Sequence, residues 1–508
     1  MNLKELLKAC PVISFTGDAQ TEITTLVYDS RKAMPGSLFV CINGTKTDGH
    51  SYIQQAWRNG CRSFVVERAV DLPELSGCNF ARVHHTRRAL AALAARFYGA
   101  PSTALDLVAV NGRAGKHTLA YLLYHFCRRT GRPAGLMYGM KNYYDEKVFF
   151  GSRNHPGAVE LQAAMAGWLQ AAEGAEANSG ELGAESGDAK DSPRPFGFVP
   201  VSDEDVVYER VAHTDFKVGV MLNTESALND SLFDFYRRCQ YLVLNRDDVA
   251  SHALAAVVPA DRRVTIAIDA EADIRATAIG ISTETDRIGT HFLVTSRYFP
   301  AFEVFTPLPG RFNIYNLLAL IAVFWLLGVP VPEIAAELPH LLAPGRTQPV
   351  WRTEEKQVYI DSAWRPRSLE TLLLSLRPYC RGRLLLVCGC SGNRDRSNRT
   401  ALGRLAGELA DFTALTVISA RAEEPTAILA DMESGMLQTK GAYLVATARQ
   451  EAIYYVLDMA GPDDLVILAG KGEDSYEMDE KEMVRISDLK TVRNYFLGRA
   501  KKQNGAEA

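Results

Sequence analysis

The stretch LVAVNGRAGKHTLAYLLYHF, from Leu107 to Phe126, joins an apolar strand-like run to a helical pattern through a turn with two glycines and a lysine. Glycine lets the N–H groups of a turn approach phosphate oxygens, and the positive end of the following helix attracts anions. The layout predicts a phosphate-binding loop formed by Gly112, Arg113, Ala114 and Gly115, with Lys116 reaching the terminal phosphates. The match is short, and a plain strand-to-helix turn would explain G-x-x-G-K about as well.

One residue departs from the usual phosphate loop. Such loops carry Ser or Thr after the lysine, where the hydroxyl holds Mg²⁺. This chain has His117 at that position, and Thr118 lies one residue further along the helix. Neutral imidazole is a poor ligand for a hard, oxygen-seeking cation. The loop therefore predicts nucleotide binding with altered metal handling.

The bulk composition excludes several classes of protein. The chain has 508 residues, 47% of them apolar and 23% charged, which predicts two to four ordinary globular domains. The net charge of -4 gives no support to nucleic-acid binding. The longest apolar run, from Leu317 to Val329, is shorter than a membrane span and predicts a buried helix. Nine cysteines without a C-x-x-C pair, and the absence of an apolar leader, favour reduced thiols and cytoplasmic residence.

Alternating strand and helix patterns divide the chain into three α/β blocks. A small N-terminal α/β domain is predicted for residues 1–102, and a central parallel-sheet domain with the glycine loop for residues 103–341. Residues 342–508 repeat the alternation and predict a second doubly wound, Rossmann-like domain. One insertion, from about Ala171 to Pro195, is rich in Gly, Ala, Ser and acidic residues, and we expect a solvated, mobile loop there.

Several motifs in this order resemble the Mur ligase family. The first block contains YDSRKAMPGSLFVCINGTKTDGHSYIQQAWRNGC from Tyr28 to Cys61, which is similar to the family's uridine-nucleotide domain. The later motifs are GRFNIYN from Gly310 to Asn316, APGR from Ala343 to Arg346, GCSGNRDRSNR from Gly389 to Arg399, and AGKGEDSYE from Ala469 to Glu477. Specifically, they resemble the branch that adds the third amino acid to UDP-N-acetylmuramoyl-L-alanyl-D-glutamate.

The resemblance implies a three-domain architecture with a central P-loop-type ATPase domain, and an ATP-dependent amide ligase of peptidoglycan precursor synthesis. It implies ATP and Mg²⁺ as cofactors, and a UDP-N-acetylmuramoyl peptide and an amino acid as substrates. The residues it assigns to catalysis are Lys116 and Arg210. The residues it assigns to ATP are Gly112, Arg113, Ala114, Gly115, Lys116, His117, Thr118, Asn313, Asn316, Arg346 and Asp361. The residues it assigns to the substrates are Ser30, Asn154, His155, Ser202, Arg210, Arg394, Gly470 and Asp474.

The chain departs from the family pattern at the metal ligands. Pro200 stands where the family has a metal-binding glutamate, and the following stretch, from Leu222 to Asp248, contains no histidine. No lysine occurs between Lys217 and Lys356, so the family's carbamylated lysine has no counterpart. Asp203 or Glu204 could supply a displaced carboxylate. Glu225, Asn229 and Asp230 could also hold a cation, but surface loops carry such residues routinely.

The substrate motifs have changed as well. The family's T-T-P becomes Asn154-His155-Pro156, and Trp364 replaces the histidine of D-Y-A-H-x-P. The D-N-P-R signature of diaminopimelate selection has no counterpart in VISARAEEP, and Glu473-Asp474 replaces H-E after G-K-G. The acceptor amino acid is therefore not predicted.

Two functions are compatible with this pattern. The first is a ligase of the muramoyl-tripeptide type, or a relative with another acceptor, that works with one metal or with re-sited ligands. The second is a catalytically impaired paralogue that binds nucleotide or UDP-muramoyl peptide and regulates or scaffolds cell-wall synthesis through a protein partner. The missing lysine favours the second function, whereas the intact GRFNIYN and GCSGNRD segments favour an ATP pocket. We place the ligase first because so many nucleotide-contact positions are retained.

Overall fold

The computed structural model of the protein divides into two compact units. The first unit comprises Met1–Ala272 and Ala322–Leu327, and the second comprises Asp273–Ile321 and Gly328–Ala508. The structure describes residues 1–44, 47–70, 75, 77–139, 141–145, 147–150, 156–179, 194–224, 228–283, 288–353, 356–473, 477–479, 482–484 and 486–504.

The first unit is an α/β assembly. Its strands are β1 (Ser14–Thr16), β2 (Thr25–Val27), β3 (Ser37–Val40), β4 (Ser63–Val66), β5 (Asn79–Arg82), β6 (Asp106–Asn111), β7 (Ala134–Tyr138), β8 (Lys141–Tyr144), β9 (Lys147–Phe150), β10 (Phe196–Val201), β11 (Val218–Met221), β12 (Tyr241–Asn245) and β13 (Arg263–Ala267). Its helices are α1 (Leu3–Leu7), α2 (Ile53–Arg58), α3 (Thr86–Phe97), α4 (Lys116–Arg129), α5 (Ala158–Ser179), α6 (Asp203–Val207), α7 (Asp230–Arg238) and α8 (Val249–Val257).

The N-terminal part of this unit forms a sheet in the order β1-β5-β4-β3-β2. The strands from β5 to β2 pair in parallel, and β1 is antiparallel at one edge. Residues of β3 and β4 are buried on both faces, which is why they read as continuous apolar runs. Helix α3 covers one face with Leu90 and Leu93, and Phe39 and Phe64 pack on the other. The predicted small N-terminal α/β layer is therefore present.

The larger sheet of the first unit contains the order β13-β12-β11-β6-β10-β7-β8-β9. Strands β13 to β7 are parallel, and β8 and β9 add an antiparallel edge. Central strand β6 is buried at all six positions, as expected for a strand with neighbours on both sides and helices on both faces. Its last residue, Asn111, lies opposite Val201 of β10 and Met221 of β11. The carboxyl ends of three parallel strands thus meet where the glycine loop begins.

The predicted mobile loop from Ala171 is wrong over its first part. Helix α5 continues to Ser179, because Ala, Glu and Gln are strong helix formers and Ala171 and Ala172 pack against the core. Residues 180–193 of the insertion lie outside the described residues. The helix is anchored by Trp168, whose indole fills the space above two strand glycines. A Cβ at Gly135 would approach Trp168 Cδ2 to 2.2 Å, and a Cβ at Gly197 would approach Cζ3 to 3.0 Å.

The second unit contains the remaining elements. Its strands are β14 (Ile274–Ser282), β15 (Gly289–Ser296), β16 (Phe302–Thr306), β17 (Gln348–Arg352), β18 (Gln357–Asp361), β19 (Leu384–Ser391), β20 (Phe412–Ser419), β21 (Ala442–Val445), β22 (Leu465–Ala469), β23 (Glu477–Asp479) and β24 (Glu482–Val484). Its helices are α9 (Arg311–Leu326, counted with the first unit from Ala322), α10 (Val331–Glu337), α11 (Pro366–Leu376), α12 (Ser397–Leu409), α13 (Pro425–Met436), α14 (Arg449–Met459) and α15 (Asp488–Asn504).

Strands β14 to β16 form an antiparallel meander, and a six-stranded sheet follows in the order β17-β18-β22-β19-β20-β21. All pairs of the six-stranded sheet are parallel except β17 with β18. Its two faces are buried in separate clusters, one containing Leu386 and Leu429, the other Val387 and Val456. This is the predicted doubly wound, Rossmann-like layer.

The apolar run from Leu317 lies in α9 and is buried, as predicted. Across the described part of the chain, no helix is both long and apolar enough to cross a bilayer. The nine cysteines are free thiols. The α/β class and the layered domains predicted from the sequence are confirmed, while the domain boundaries at residues 102 and 341 stay predictions.

Candidate active site

The glycine loop begins at the carboxyl end of β6 and ends at the first turn of α4. Gly115 caps the helix with a φ of 86°, a left-handed conformation that glycine adopts without a Cβ clash. The first intrahelical bond runs from the Leu119 N–H to the Gly115 carbonyl at 2.8 Å. The N–H groups of residues 116–118 precede that bond and lie in the first turn of the helix, where the helix dipole is positive. They and the helix dipole make this end of α4 suited to an anion.

Asn223, which follows β11, holds the loop from the side. Its side-chain Oδ1 accepts the Ala114 N–H at 3.0 Å, and its Nδ2 donates to the Ala114 carbonyl at 2.9 Å. Its backbone carbonyl also accepts the Arg113 N–H at 3.2 Å. The Arg113 and Ala114 amides are therefore engaged with Asn223 in this structure. Lys116 folds back over the loop, where Nζ donates to the Gly112 carbonyl at 3.1 Å.

His117 is the second residue of α4 and packs against an aromatic group. Its ring meets that of Tyr138, the last residue of β7, edge to face at 5.7 Å between centroids and 88° between planes. Tyr121 and Tyr143 surround the same tyrosine at 5.8 Å and 6.4 Å. The imidazole therefore lies against an aromatic surface at the start of α4. Thr118, by contrast, is buried in the helix with 8% of its surface exposed.

A pocket opens at the start of α4. It is lined by Lys116, His117, Met137, Gly139, Pro156, Leu161, Val199, Pro200, Asp205, Arg210 and Val211. Three of these side chains are basic, Lys116, His117 and Arg210, and one is a carboxylate, Asp205. The two residues that the family resemblance assigns to catalysis, Lys116 and Arg210, therefore line one pocket.

Asp205 organises one side of that pocket. Its Oδ2 accepts the Ser202 N–H at 2.8 Å and the Ser202 hydroxyl at 2.6 Å, and the Asp205 N–H donates back to Ser202 Oγ at 3.2 Å. This reciprocal pair is a capping box at the start of α6. The other oxygen, Oδ1, accepts from Arg210 Nη1 at 2.7 Å. The structure thus joins Ser202 and Arg210, two predicted substrate residues, through a carboxylate that the sequence reasoning did not single out.

The candidate metal ligands do not assemble. Pro200 lies on β10 beside Val110 of β6 and offers no donor. Asp203 Oδ1 accepts a hydrogen bond from Asn111 Nδ2 at 3.0 Å. Asn229 caps α7 through the Leu232 N–H, and Glu225 lies outside the described residues. Within the described residues, no group of three or more His, Cys, Asp or Glu side chains is placed to hold a metal ion.

The N-terminal motif is a compact hydrogen-bonded turn. Ser30 is 6% exposed, and its hydroxyl donates to Gln55 Oε1 at 2.7 Å. Asp29 accepts from the Arg31 backbone and guanidinium. Tyr28 donates to Glu160 of α5 at 2.9 Å, and Glu160 also accepts the Gly157 N–H at 3.0 Å. The motif is therefore tied to the start of the helix that follows Pro156.

In the second unit, the two asparagines that the resemblance assigns to ATP form a buried pair. Asn313 and Asn316 are each 1% exposed. Asn316 Nδ2 donates to Asn313 Oδ1 at 3.1 Å, and Asn313 Nδ2 donates to the Pro309 carbonyl at 2.8 Å. The pair therefore fixes the chain entering α9.

A second group in this unit gathers around Asp361. Its Oδ2 accepts the Thr347 N–H at 2.6 Å, its Oδ1 accepts the Ala363 N–H at 2.7 Å, and its backbone carbonyl accepts the Gly470 N–H at 2.8 Å. Burial raises the pKa of the Asp361 carboxyl, and the charge of Arg346 opposes that shift. Gly470 has a φ of 109°, and a Cβ there would approach Ile418 Cδ1 to 2.5 Å. Predicted residues Arg346, Asp361 and Gly470 are thus brought into one network.

Arg394 lies elsewhere on this unit's loops, with its guanidinium 4.8 Å from the centre of the Trp364 ring. Trp364 stands where the family has histidine, so the substitution provides a flat surface for the arginine. Asn154, His155 and Asp474, three predicted substrate residues, lie outside the described residues. Asn223 and Asp205 were missed by the sequence reasoning. Asp205 follows β10 and Asn223 follows β11, the two strands that pair with β6. Their place after these strands was the signal in the sequence that could have identified them.

Comparison with known proteins identifies the family. Residues 22–98 match the model described as "Mur ligase family, catalytic domain", residues 212–324 match "Mur ligase middle domain", and residues 345–472 match "Mur ligase, glutamate ligase domain". A UDP-N-acetylmuramoyl-L-alanyl-D-glutamate--2,6-diaminopimelate ligase from Alkaliphilus metalliredigens is 31% identical over 507 residues, covering 97% of each chain. The enzyme of that name from Caldanaerobacter subterraneus is 30% identical over 503 residues, covering 96% of this chain and 98% of the relative.

Solved structures show the same fold. A structure of a UDP-N-acetylmuramoyl-L-alanyl-D-glutamate--2,6-diaminopimelate ligase superposes with a TM-score of 0.65 at 22% identity, covering 98% of this chain and 99% of that one. The MurF ligase of Thermotoga maritima in complex with ADP gives a TM-score of 0.55 at 16% identity, covering 95% and 99%. Because relatives that are 30% and 31% identical align over 96% and 97% of the chain, and three models of the family match it, the chain belongs to the Mur ligase family.

Proposed function

We propose that the chain is an ATP-dependent amide-bond ligase that adds an amino acid to a UDP-N-acetylmuramoyl dipeptide in peptidoglycan precursor synthesis. The observation that carries the proposal is the shared pocket of Lys116 and Arg210 at the start of α4. The Lys116 ammonium lies on the phosphate loop. The Arg210 guanidinium donates to Asp205 at 2.7 Å on the substrate side. The full-length similarity to ligases of this name supports the same assignment.

The reaction needs a carboxylate and a terminal phosphate in contact. The substrate carboxylate attacks the terminal phosphorus of ATP, the bond to ADP breaks, and an acyl phosphate forms. The amine of the incoming amino acid then attacks the acyl carbon and loses a proton, and inorganic phosphate leaves as the amide forms. Guanidinium is the side chain best suited to a planar carboxylate, so Arg210 would bind and orient the attacking group. Lys116 and the N–H groups of α4 would bind the transferring phosphate.

The donors of the described pocket are a poor match for Mg²⁺. Mg²⁺ takes oxygen ligands and is usually bound by one or two carboxylates together with substrate phosphates. The described pocket contains one carboxylate, Asp205, and both of its oxygens accept hydrogen bonds from Ser202 or Arg210. Pro200 supplies no ligand, and His117 offers nitrogen. The donor set does not fit the ion, so the steps above are assigned to protein groups alone.

The test is release of ADP and phosphate by the purified protein. The reaction contains ATP, UDP-N-acetylmuramoyl-L-alanyl-D-glutamate and a panel of amino acids, each assayed with added Mg²⁺ and with EDTA. Product is identified by mass as the dipeptide substrate plus one amino acid minus water. Turnover should be lost in Lys116→Ala and retained in Lys440→Ala, which removes an exposed lysine of the second unit.

A protein that binds ATP and the UDP-dipeptide but releases no ADP with any amino acid would contradict the ligase. That outcome would support the non-catalytic alternative, in which the same pocket senses nucleotide or precursor. The acceptor amino acid, a cell-wall protein partner and cytoplasmic residence stay predictions.

A further inference from the structure

We propose that Tyr208 is a positioning residue that holds Arg210 for binding of the substrate carboxylate, and that Arg87 in turn holds the Tyr208 ring. The inference rests on the proposed function, because it takes Arg210 to bind the carboxylate of the UDP-dipeptide. It adds to that function two residues that the family resemblance does not assign. Because it concerns binding of the substrate, it can be tested whether or not the protein turns over.

Arg210 is fixed to Asp205 at two points. Its backbone N–H donates to the Asp205 carbonyl at 2.8 Å, and its Nη1 donates to Asp205 Oδ1 at 2.7 Å. A bond to one terminal nitrogen leaves the plane of the guanidinium able to rotate about that nitrogen. A carboxylate binds best to two parallel N–H groups in that plane, so a further contact that sets the plane would favour binding.

Tyr208 provides that contact. Its ring centre lies 5.5 Å from the guanidinium carbon of Arg210. A guanidinium is attracted to the face of an aromatic ring, and a stacked guanidinium keeps its N–H groups at its own edge, where they can still donate. The side chain of Arg210 is 28% exposed, so the contact is partly shielded from water, which strengthens the attraction. The ring therefore limits the orientations of Arg210 without occupying its hydrogen-bonding edge.

The Tyr208 ring is itself held by helix α3. The guanidinium carbon of Arg87 lies 4.8 Å from the centre of the ring. Arg87 is the second residue of α3, and its Nη2 donates to the Asn43 carbonyl at 2.9 Å, which fixes the guanidinium at its other side. The ring that orients Arg210 is therefore anchored to the N-terminal layer of the first unit.

The backbone between Tyr208 and Arg210 adopts a conformation that needs support. Glu209 has a φ of 57°, in the left-handed region that residues with a Cβ rarely adopt. Arg88, which follows Arg87 in α3, donates to Glu209 Oε1 at 2.8 Å through Nη2 and at 3.2 Å through Nε. This ion pair secures the turn that places Tyr208 beside Arg210. Two consecutive arginines of one helix thus stabilise the segment that leads into Arg210.

The experiment measures binding of UDP-N-acetylmuramoyl-L-alanyl-D-glutamate and of ADP to the purified full chain by calorimetry. Tyr208→Leu removes the aromatic face, and we expect it to weaken dipeptide binding by about fivefold while ADP binding stays within about twofold. Tyr208→Phe keeps the aromatic face and should bind the dipeptide as the wild type does. Tyr298→Leu is the matched control and should change neither constant, since it removes a ring that carries Arg297 at 4.8 Å in the second unit.

A second comparison separates positioning from packing. If Tyr208 acts through Arg210, Tyr208→Leu should weaken dipeptide binding in the wild type but not in Arg210→Met, which no longer has the guanidinium. An equal loss in both backgrounds would overturn the inference, because the ring would then act independently of Arg210. Arg87→Met leaves Tyr208 in place and should weaken dipeptide binding by about two- to fivefold, so it serves as the second variant if Tyr208→Leu does not fold.

Three other results would also overturn the inference. They are wild-type dipeptide affinity in Tyr208→Leu, equal weakening in Tyr208→Phe and Tyr208→Leu, and equal losses of dipeptide and ADP affinity in Tyr208→Leu. A wild-type protein that binds the dipeptide without turnover would contradict the ligase function and leave the inference standing. Absence of dipeptide binding by the wild type would contradict both.

Discussion

The side-chain amide of Asn223 forms two hydrogen bonds with the backbone of Ala114. Its Oδ1 accepts the Ala114 N–H at 3.0 Å, and its Nδ2 donates to the Ala114 carbonyl at 2.9 Å. The two residues are 109 positions apart in the sequence, and they meet because β11 and β6 are neighbours in a parallel sheet. An amide side chain reproduces the pair of bonds that a neighbouring strand would make. The glycine loop is therefore held in shape by a residue that follows the neighbouring strand.

Replacing Asn223 by Ala should loosen that loop. Two side-chain hydrogen bonds are lost, and at roughly 1 kcal/mol each we expect ADP binding to weaken by about thirtyfold. Calorimetric titration of ADP measures the change. Asn223→Asp is the matched comparison, since its carboxylate can still accept the Ala114 N–H but cannot donate. It should lose affinity as well, and wild-type affinity in both variants would show that the loop holds its shape without Asn223.

Asp205 is predicted to act on the substrate rather than on the nucleotide. In Asp205→Asn the carboxylate that accepts from Ser202 and Arg210 becomes a neutral amide, and a hydrogen bond to a charged group contributes about 1.5–3 kcal/mol. We expect KM for the UDP-dipeptide to rise by about tenfold or more, while the affinity for ADP changes little. Asp215→Asn, at an exposed carboxylate, is the control. Equal losses for dipeptide and nucleotide would instead indicate a general disruption of the pocket.

The sequence predicted the parts of the molecule that local pattern controls. Strands β6 and β22 are buried at every position, so their apolar runs were recognisable, and Gly115 marked the start of α4. Asn223 and Asp205 were not predicted because their roles depend on which strands lie beside β6. The end of α5 was missed for another reason: alanine- and glutamate-rich sequence suits a loop or a helix until its packing against a core is known.

Glu423 makes the folding stability of the second unit depend on pH. It forms a two-point ion pair with buried Arg399 at 2.9 and 3.0 Å and accepts the Asn393 N–H at 2.6 Å. The bond to Arg399 is the largest cause that lowers the pKa of Glu423 from 4.5 to about 2. A carboxyl with a lowered pKa stabilises the fold above its ordinary pKa, and that contribution is lost as pH falls from 4.5 toward about 2.

Glu423→Gln should therefore be less stable than the wild type at pH 7, with the difference shrinking as the pH is lowered below 4.5. Urea denaturation at several pH values between 7 and 3 measures it. Glu408→Gln, which removes a partner from an exposed pair with Arg404, is the control. A difference between Glu423→Gln and wild type that stays constant across this range would mean that the ion pair does not set the stability.

The pair formed by Arg449 and Asp488 should be the most costly to break. Its side chains are 2% and 0% exposed, Nε donates to Oδ1 at 2.8 Å, and Nη2 donates to Oδ2 at 2.7 Å. Nη2 also donates to the Ala469 carbonyl at 3.1 Å, next to Gly470. Removing one partner leaves the other charge buried without a counter-ion. Asp488→Asn should therefore lower the free energy of unfolding by about 3–5 kcal/mol.

Replacing both partners separates two quantities: the cost of an unpaired buried charge, and the net contribution of the ion pair to the free energy of unfolding. In Arg449→Met with Asp488→Leu no charge remains buried, and we expect much of the stability lost in Asp488→Asn to return. The exposed pair of Arg404 and Glu408 is the comparison, since breaking an i,i+4 surface pair costs only about 0.3–0.5 kcal/mol. Chemical denaturation of the four proteins measures all three changes.

If the double variant recovered stability but not ligase activity, the bond from Arg449 to the Ala469 carbonyl would be required to position the loop that contains Gly470 and follows β22. Recovery of both would limit the pair to a structural role.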